Sequence, residues 1–449
     1  MKFAFVFPGQ GSQSVGMMDV WSNNPAAMQV IAQASAALGE DLGALMALGP
    51  AEQLSLTTHT QPAMLTAGVA MYEAWCAAGG PKASLMAGHS LGEYAALTAA
   101  GALSLADAVR VVRIRADAMQ AAVPVGTGAM AAVLGLEDHL VKQACLDAAE
   151  GEIVEAVNFN APSQVVIAGH ATAVQRAIVA AKAAGAKRAM LLPVSAPFHS
   201  SLLKPAAEVL ASALAKINVS TPAIAVFNNV DVAIEQSPDA IRDALVRQAW
   251  HAVRWVEVIQ AMKAQGITHI VECGPGKVLS GMIKRIATGA ATRAIGSPED
   301  VLAAIAVALI VFALANRTPV AVQASRISAA ASSGLFVNAR CDTFRGADVA
   351  MDGDALVAAT LERASRDTGI DVTSTSYEDI VKRDDVHAVI IATPKFIKEK
   401  PEAVKAFLRA FTKGAKAVMA DPKAATAIVK ARDGLVNAEL EERRLRLAI

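Results

Sequence analysis

The chain has 449 residues, more than one hydrophobic core usually supports, so we expect one large domain with an insertion or several domains. Lysine plus arginine and aspartate plus glutamate number 41 each, and no basic run is interleaved with aromatic residues, which argues against nucleic acid as a partner. The cysteines are scattered and form no C-x-x-C pair, so we expect neither a disulfide framework nor a metal site.

The start of the chain predicts a cytoplasmic protein. Only five apolar residues separate Lys2 from Pro8, too few for the apolar core of a signal peptide, and scattered cysteines fit a reducing cytosol. The longest apolar stretch, Val301 to Ala315, falls short of the roughly 18 residues of a membrane span. It predicts a buried or frayed helix, and a membrane is not an expected partner.

Two strand-turn units predict an α/β fold. The opening KFAFVFPGQGSQ is a short buried strand that enters a glycine-rich turn. After Pro81, a second apolar strand reaches Gly88, turns through Ser90 to Gly92 and continues as an alanine- and leucine-rich helix. Strands that alternate with helices in this way indicate a parallel sheet covered on both faces, as in hydrolase-like folds.

Between Gly128 and Ser195 the pattern becomes strand, helix, strand, strand, helix, strand, the order of a ferredoxin-like subdomain. Its last strand is predicted over Arg188–Val194, and a helix follows over Leu202–Ile217. The larger domain is therefore expected to close around the smaller one. The predicted division is 1–125 with 198–307 for the large domain, 126–197 for the ferredoxin-like subdomain, and 308–449 for a C-terminal extension of unknown fold.

The extension has a composite character. GLFVNARCDTF resembles a strand of the isocitrate lyase and phosphoenolpyruvate mutase family, YEDIVKRDDVHAVIIATP part of a Rossmann-type sugar oxidoreductase, and FIKEKPEAVKAFLRAFTKGAKAVMADP a helical piece of a periplasmic binding protein. The second patch lacks the G-x-G-x-x-G turn that seats a pyrophosphate, so no dinucleotide cofactor is expected. We interpret 308–449 as a fused, frameshifted or artificially generated tail.

Gly88-His89-Ser90-Leu91-Gly92 has the G-x-S-x-G form, in which flanking glycines permit a sharp turn that exposes the serine hydroxyl. Ser90 is therefore a candidate nucleophile. Because it stands at the start of a helix, free backbone N–H groups favour the negative charge that develops on an attacked carbonyl. Leu91 N–H is the natural donor to that oxyanion.

A serine nucleophile needs a base, and His199 is the strongest of eight histidines, since it follows a predicted strand in the loop SAPFHSS. Gln10, in the first glycine turn, is either a second oxyanion donor or an ordinary turn residue. Arg115 lies on a predicted helix with Arg110 and Arg113 and is either solvated or a bidentate partner of a carboxylate on the acyl group. Malonyl carries such a carboxylate, and acetyl does not.

FPGQGSQ, GHSLGEYAAL, Arg115 ahead of GTGAM, NFNAPSQVVIAG, SAPFHS and VECGPGKVL follow one another in the first 307 residues. This set resembles the malonyl-CoA:acyl carrier protein transacylases of bacterial fatty acid synthesis. The resemblance implies that Ser90 is acylated, that His199 is its base and later acid, and that Gln10 and Leu91 N–H form the oxyanion hole. It also makes Arg115 the carboxylate clamp and the Gln248 carbonyl the group that orients the histidine.

The resemblance further implies malonyl-CoA as substrate, acyl carrier protein as partner, no cofactor and a monomeric enzyme. In related polyketide synthase acyltransferases a bulky residue before the histidine goes with malonyl, and Phe198 fits that pattern. Two alternatives stay open. A serine esterase or thioesterase shares G-x-S-x-G but expects an acidic triad residue. In a fusion protein, the tail could instead act as the binding module that sets the function.

Overall fold

The computed structural model describes residues 2–124, 126–194 and 196–305, and the backbone of residues 337–340 and 388–391. By its internal contacts the chain divides into two units, Met1–Ile305 and Ala306–Ile449. Residues 298–305 are helical, and the rest of the long apolar stretch lies outside the described residues. Among the described residues, no helix has both the length and the apolarity needed to cross a lipid bilayer.

The larger sheet is parallel, as the alternation of strands and helices predicts. Its strands are β1 (Lys2–Phe7), β2 (Leu85–Gly88), β7 (Ala225–Phe227), β8 (Ile267–Cys273) and β9 (Ala291–Ile295). They lie in the order β7, β2, β1, β8, β9, and every neighbouring pair is parallel. The carboxyl ends of β1 and β2 are therefore adjacent, where the two glycine-rich turns begin.

Strand β1 is buried on both faces because its side chains alternate between two apolar layers. The Phe5 ring lies 5.4 Å from the Tyr72 ring and 5.1 Å from the Trp75 ring, while Ala4 packs in a cluster with Trp255 on the opposite face. The helices of the large domain are α1 (Pro25–Leu38), α2 (Leu42–Leu48), α3 (Ala51–Leu54), α4 (Thr57–Ala77), α5 (Gly92–Ala99), α6 (Leu105–Ala121), α9 (Lys204–Leu214), α10 (Pro238–Gln248), α11 (Trp255–Ala264) and α12 (Val278–Ile286).

The inserted segment forms a separate antiparallel sheet. Its elements are β3 (Gly128–Leu134), α7 (Asp138–Ala149), β4 (Val154–Ala161), β5 (Gln164–His170), α8 (Ala171–Ala183) and β6 (Arg188–Leu191), with strand order β4, β5, β3, β6. This is the β-α-β-β-α-β order of a ferredoxin-like fold. Apolar side chains of both helices, such as Val141 and Ile178, pack against the inward residues of the sheet.

Three predicted boundaries are wrong, and proline explains two of them. The third is the end of the helix predicted to reach Ile217, which the structure places at Leu214. Strand β6 ends at Leu191 where the prediction extended to Val194, because Pro193 has no N–H to donate to a ladder. The helix predicted from Leu202 begins at Lys204, after a 3₁₀ turn at Ser201–Leu203. Pro205 cannot donate the first intrahelical hydrogen bond of a helix that begins at Leu202.

Of the second unit, the structure describes two short strands, β10 (Val337–Arg340) and β11 (Ala388–Ile391). They pair antiparallel, with Val337 opposite Ile391. The two strands fall within the first and second of the three segments of the extension that resemble other families. The third segment lies outside the described residues.

Candidate active site

Ser90 lies at the apex of a tight turn between β2 and α5. Its backbone φ is 53°, in the left-handed region that side-chain-bearing residues rarely adopt. The turn requires its glycines, because a Cβ on Gly88 would stand 1.8 Å from the Gly92 carbonyl carbon, and a Cβ on Gly92 would stand 2.0 Å from the Phe7 carbonyl oxygen. This close approach directs the serine hydroxyl into a cavity.

His199 and Gln248 complete a hydrogen-bonded series with Ser90. Ser90 Oγ lies 2.6 Å from His199 Nε2, and His199 Nδ1 lies 2.8 Å from the Gln248 carbonyl oxygen. Gln248 is the last residue of α10, where carbonyl groups have no partner within the helix. With Nδ1–H donating to that carbonyl, Nε2 is free to accept the Ser90 proton.

The surroundings keep His199 neutral. Burial, then the charge of Arg115, lowers the pKa of His199 to about 3, although the hydrogen bond to Gln248 opposes the shift. A histidine that is uncharged at neutral pH is in the protonation state a general base needs. The geometry and the charge therefore both suit removal of the Ser90 proton.

Arg115 is a buried cation beside Ser90. It belongs to α6, the residue is 3% exposed, and its guanidinium donates to Gln61 Oε1 at 2.6 Å and to Gln248 Oε1 at 3.0 Å. Nη2 lies 3.3 Å from Ser90 Oγ. Within the described part of the chain no carboxylate forms a hydrogen bond or ion pair with it, and its Nε has no partner. Burial lowers the pKa of Arg115, so the charge is held at a cost that a bound anion would reduce.

Two residues that line the cavity have a backbone N–H group that a predicted oxyanion could use. The N–H groups of Gln10 and Leu91 form no hydrogen bond with any other described residue, and both residues line the cavity. Ser90 N–H is not available, because it donates to Asn229 Oδ1 at 2.7 Å. The Gln10 side-chain oxygen accepts a hydrogen bond from Thr57 Oγ1 at 2.9 Å, so the side chain is already held by a partner.

The cavity has a volume of about 220 Å³. Ser90, His199, Arg115, Gln10 and Leu91 all line it, and Gln248 lies behind them. The structure thus brings together the six site residues that the sequence predicts. Apolar residues of the inserted subdomain and of the loop before the histidine close the other side, among them Met130, Val166, Leu192 and Phe198. In the described ranges, no group of three or more acidic, histidine or cysteine side chains could hold a metal ion.

Sequence reasoning missed three buried residues that support the site, Gln61, Glu93 and Asn229. Asn229 follows the short strand β7 and holds both Ser90 N–H and the Gly88 carbonyl, at 2.7 Å each. Glu93 lies in the GHSLGEYAAL segment, and Asn229 follows a strand that neighbours β2. The position of each residue in the chain could therefore have marked it as a candidate. Gln61 lies within α4, and its position gave no such indication.

Comparisons with known proteins agree with this geometry. The family model described as acyl transferase domain matches residues 4–298. Malonyl CoA-acyl carrier protein transacylase of Escherichia coli strain K12 is 56% identical over 305 residues, 68% of this chain and 99% of that protein. The enzyme of the same name from Bacillus subtilis is 44% identical over 306 residues, 68% of this chain and 96% of that protein.

Solved structures lead to the same group. A crystal structure of acyl-carrier-protein S-malonyltransferase from Burkholderia pseudomallei aligns with a TM-score of 0.67 at 56% identity, covering 68% of this chain and 99% of that one. A malonyl-transacylase in complex with a type II polyketide acyl-carrier protein aligns with a TM-score of 0.67 at 49% identity, with the same coverage. Past this region, a model described as NMT1/THI5 like matches residues 337–425, most of the composite tail.

Proposed function

Because this chain belongs to the acyl transferase domain family, among the malonyl CoA-acyl carrier protein transacylases, we propose that it carries a malonyl group from malonyl-CoA to the phosphopantetheine thiol of acyl carrier protein. The intermediate is a malonyl ester on Ser90. We infer that the reaction serves fatty acid biosynthesis, the pathway that the sequence resemblance implies.

The lack of a hydrogen-bonded carboxylate at Arg115 among the described residues carries the assignment of malonyl. A buried guanidinium without a carboxylate partner, 3.3 Å from the nucleophile, favours an acyl group that brings its own carboxylate. Acetyl and long-chain acyl groups would leave that cation unpaired. Phe198, which lines the cavity and is buried, supports malonyl over its methylated analogue by limiting the space beside the ester.

The reaction proceeds in two transfers through His199. In the first, His199 Nε2 takes the Ser90 proton, Ser90 Oγ attacks the thioester carbonyl, and the negative oxygen is stabilised by the N–H groups of Gln10 and Leu91. The carbon–sulfur bond breaks, and coenzyme A leaves with the proton from His199. In the second, the carrier thiol gives its proton to His199 and attacks the ester carbonyl. The bond between Ser90 Oγ and the acyl carbon then breaks, and Ser90 Oγ takes the proton back from His199.

The support for a hydrolase is weaker. An α/β-hydrolase orients its histidine with a carboxylate, whereas His199 Nδ1 faces the Gln248 carbonyl at 2.8 Å. The charged acyl site beside Arg115 is likewise of no use to a general esterase.

The proposal also includes a mechanism without a cofactor, a monomeric state and a cytoplasmic location. The free thiols of Cys76, Cys145 and Cys273 support the last of these.

Intact mass measurement tests the proposal. The purified full chain is mixed with malonyl-CoA and quenched in acid, with Ser90→Ala treated in parallel. A malonyl adduct on the natural chain that is absent from the variant is expected, and holo acyl carrier protein, but not its apo form, should then remove it. An adduct that water removes equally fast without the carrier would identify a thioesterase, and no adduct on folded protein would refute the proposal.

A further inference from the structure

Glu93 is a buried carboxyl that the mechanism above does not use. It lies on the first turn of α5, three residues after the nucleophile, and is 2% exposed. Its Oε2 accepts two hydrogen bonds, from Gln248 Nε2 at 2.9 Å and from Asn229 N at 3.0 Å. Burial raises the pKa of Glu93 to about 7, although these hydrogen bonds lower it. A negative charge on the carboxyl is therefore costly at this position.

The Gln248 amide connects Glu93 to the acyl site. Its Nε2 donates to Glu93 Oε2 and to the Ser90 carbonyl oxygen, both at 2.9 Å, and its Oε1 accepts from Arg115 Nη2 at 3.0 Å. The reversed amide would place its N–H groups against the guanidinium and its oxygen against two other oxygens. Only one orientation of the amide therefore satisfies all its neighbours.

A second branch runs from Glu93 to the nucleophile turn. Asn229 donates its backbone N–H to Glu93, while its side chain accepts from Ser90 N and donates to the Gly88 carbonyl. Asn229 thereby occupies Ser90 N–H and leaves Leu91 N–H as the donor next to the reacting carbonyl. One carboxyl oxygen thus holds two residues, each of which holds a different part of the site.

We propose that Glu93 is a positioning residue of the transfer reaction: its Oε2 holds the Gln248 amide with the oxygen toward Arg115 and so orients the guanidinium for an anionic acyl group. This inference rests on the proposed function. The essential property of Glu93 is an acceptor oxygen at this distance, and its charge is secondary, since either protonation state leaves Oε2 free to accept both hydrogen bonds.

Two conservative variants separate contact from charge. Glu93→Gln can keep an acceptor oxygen in the place of Oε2 and loses the charge, whereas Glu93→Asp keeps the charge and withdraws the oxygen by one methylene. For each full-length variant, the rate of Ser90 acylation by malonyl-CoA is divided by the rate of its modification by a neutral fluorophosphonate, which needs the nucleophile and base but no carboxylate clamp. We expect Glu93→Asp to lower this ratio roughly tenfold, the effect of one buried charge-assisted contact, and Glu93→Gln to preserve it.

A double-mutant cycle tests the route through Gln248. In a Gln248→Met background, Glu93→Asp should cause no further change in the ratio, because the amide it orients is gone. If Glu93 has a purely structural role, Glu93→Asp should lower both rates equally and leave the ratio unchanged. If its role is purely electrostatic, Glu93→Gln should lower the ratio. Either result overturns the inference. If the natural chain reacts with the fluorophosphonate but never with malonyl-CoA, the proposed function itself has failed.

Discussion

Arg115 is bound by two neutral amides, Gln61 and Gln248, and this choice of partners leaves its charge available for a ligand. Replacing it with alanine should therefore remove the preference for malonyl-CoA over acetyl-CoA. We expect the ratio of Ser90 acylation rates to fall about 10- to 100-fold, the loss of one or two charge-assisted hydrogen bonds. Quenched-flow mass measurement of both adducts gives the ratio.

The matched control is Arg110→Ala on the same helix. Arg110 is exposed and donates to the Ala37 carbonyl, so its removal should leave the ratio unchanged. An Arg115→Ala enzyme that still prefers malonyl-CoA as strongly as the natural chain would remove Arg115 from the acyl site.

The neutral state of His199 predicts the pH dependence of acylation. Its folded pKa, about 3, lies below the usual 6.5, so the base form persists as the pH falls below 6.5. Modification of Ser90 by a neutral fluorophosphonate should therefore show no decline centred near pH 6.5, and its acid limb should lie lower. A limb at 6.5 would contradict the burial of this histidine.

The same shift affects folding. Because the unfolded chain binds a proton at this histidine below pH 6.5 and the folded chain does not, the contribution of His199 to stability is present above pH 6.5. It is lost as the pH falls from 6.5 toward 3. The His199→Gln variant, measured by urea unfolding across that range, should lose less stability on acidification than the natural chain.

At the scale of elements, the contact between α5 and β1 fixes the position of Ser90. Gly92→Ala would place a methyl group 2.0 Å from the Phe7 carbonyl oxygen. Because that oxygen belongs to the backbone of β1, it can move away only if the strand itself shifts. We expect a loss of at least ~2 kcal/mol in the free energy of unfolding and slower Ser90 acylation. Urea unfolding and the mass measurement report the two effects.

Gly281→Ala is the control for this prediction. Gly281 is exposed in α12, and a Cβ there meets no atom within 4 Å. Alanine should raise the free energy of unfolding by ~0.5–1 kcal/mol through helix propensity alone. Equal effects of the two substitutions would show that the close approach of α5 has no energetic importance.

The elements that carry chemistry were also the most predictable ones. The strand that ends at Gly88 and the helix that begins at Gly92 are marked by glycines which sterics require. Element ends beside Pro193 and Pro205 were misplaced by two or three residues, because the apolar patterns continue past both prolines. Pro193 has no N–H for the strand ladder, and Pro205 fits a helix only in its first turn. The spacing of apolar residues indicates which face of an element is buried. It does not indicate whether each backbone N–H needed for a strand or helix is present.

At the scale of the whole molecule, residues up to 305 form a unit whose two apolar clusters and whole candidate site lie within it. A chain that ends at Ile305 should therefore fold and be acylated at Ser90 at a rate within about twofold of the full chain, since no described contact of the site lies beyond it. Mass measurement and thermal unfolding compare the two. A truncated chain that is folded but inactive would assign the second unit a part in the reaction.

The sequence by itself determined the parallel sheet, the inserted subdomain and the choice of Ser90 as the candidate nucleophile, because glycine spacing and strand alternation are local consequences of backbone sterics. It also offered His199 and Arg115 as candidates from their positions in the chain, with alternatives that only the family resemblance narrowed, and it named Gln248 through that resemblance alone. The tertiary structure alone decided that no described carboxylate forms a hydrogen bond or ion pair with Arg115 and that Glu93 and Asn229 hold the site. Burial and hydrogen-bond partners arise from residues far apart in the chain, and only the folded packing brings those residues together.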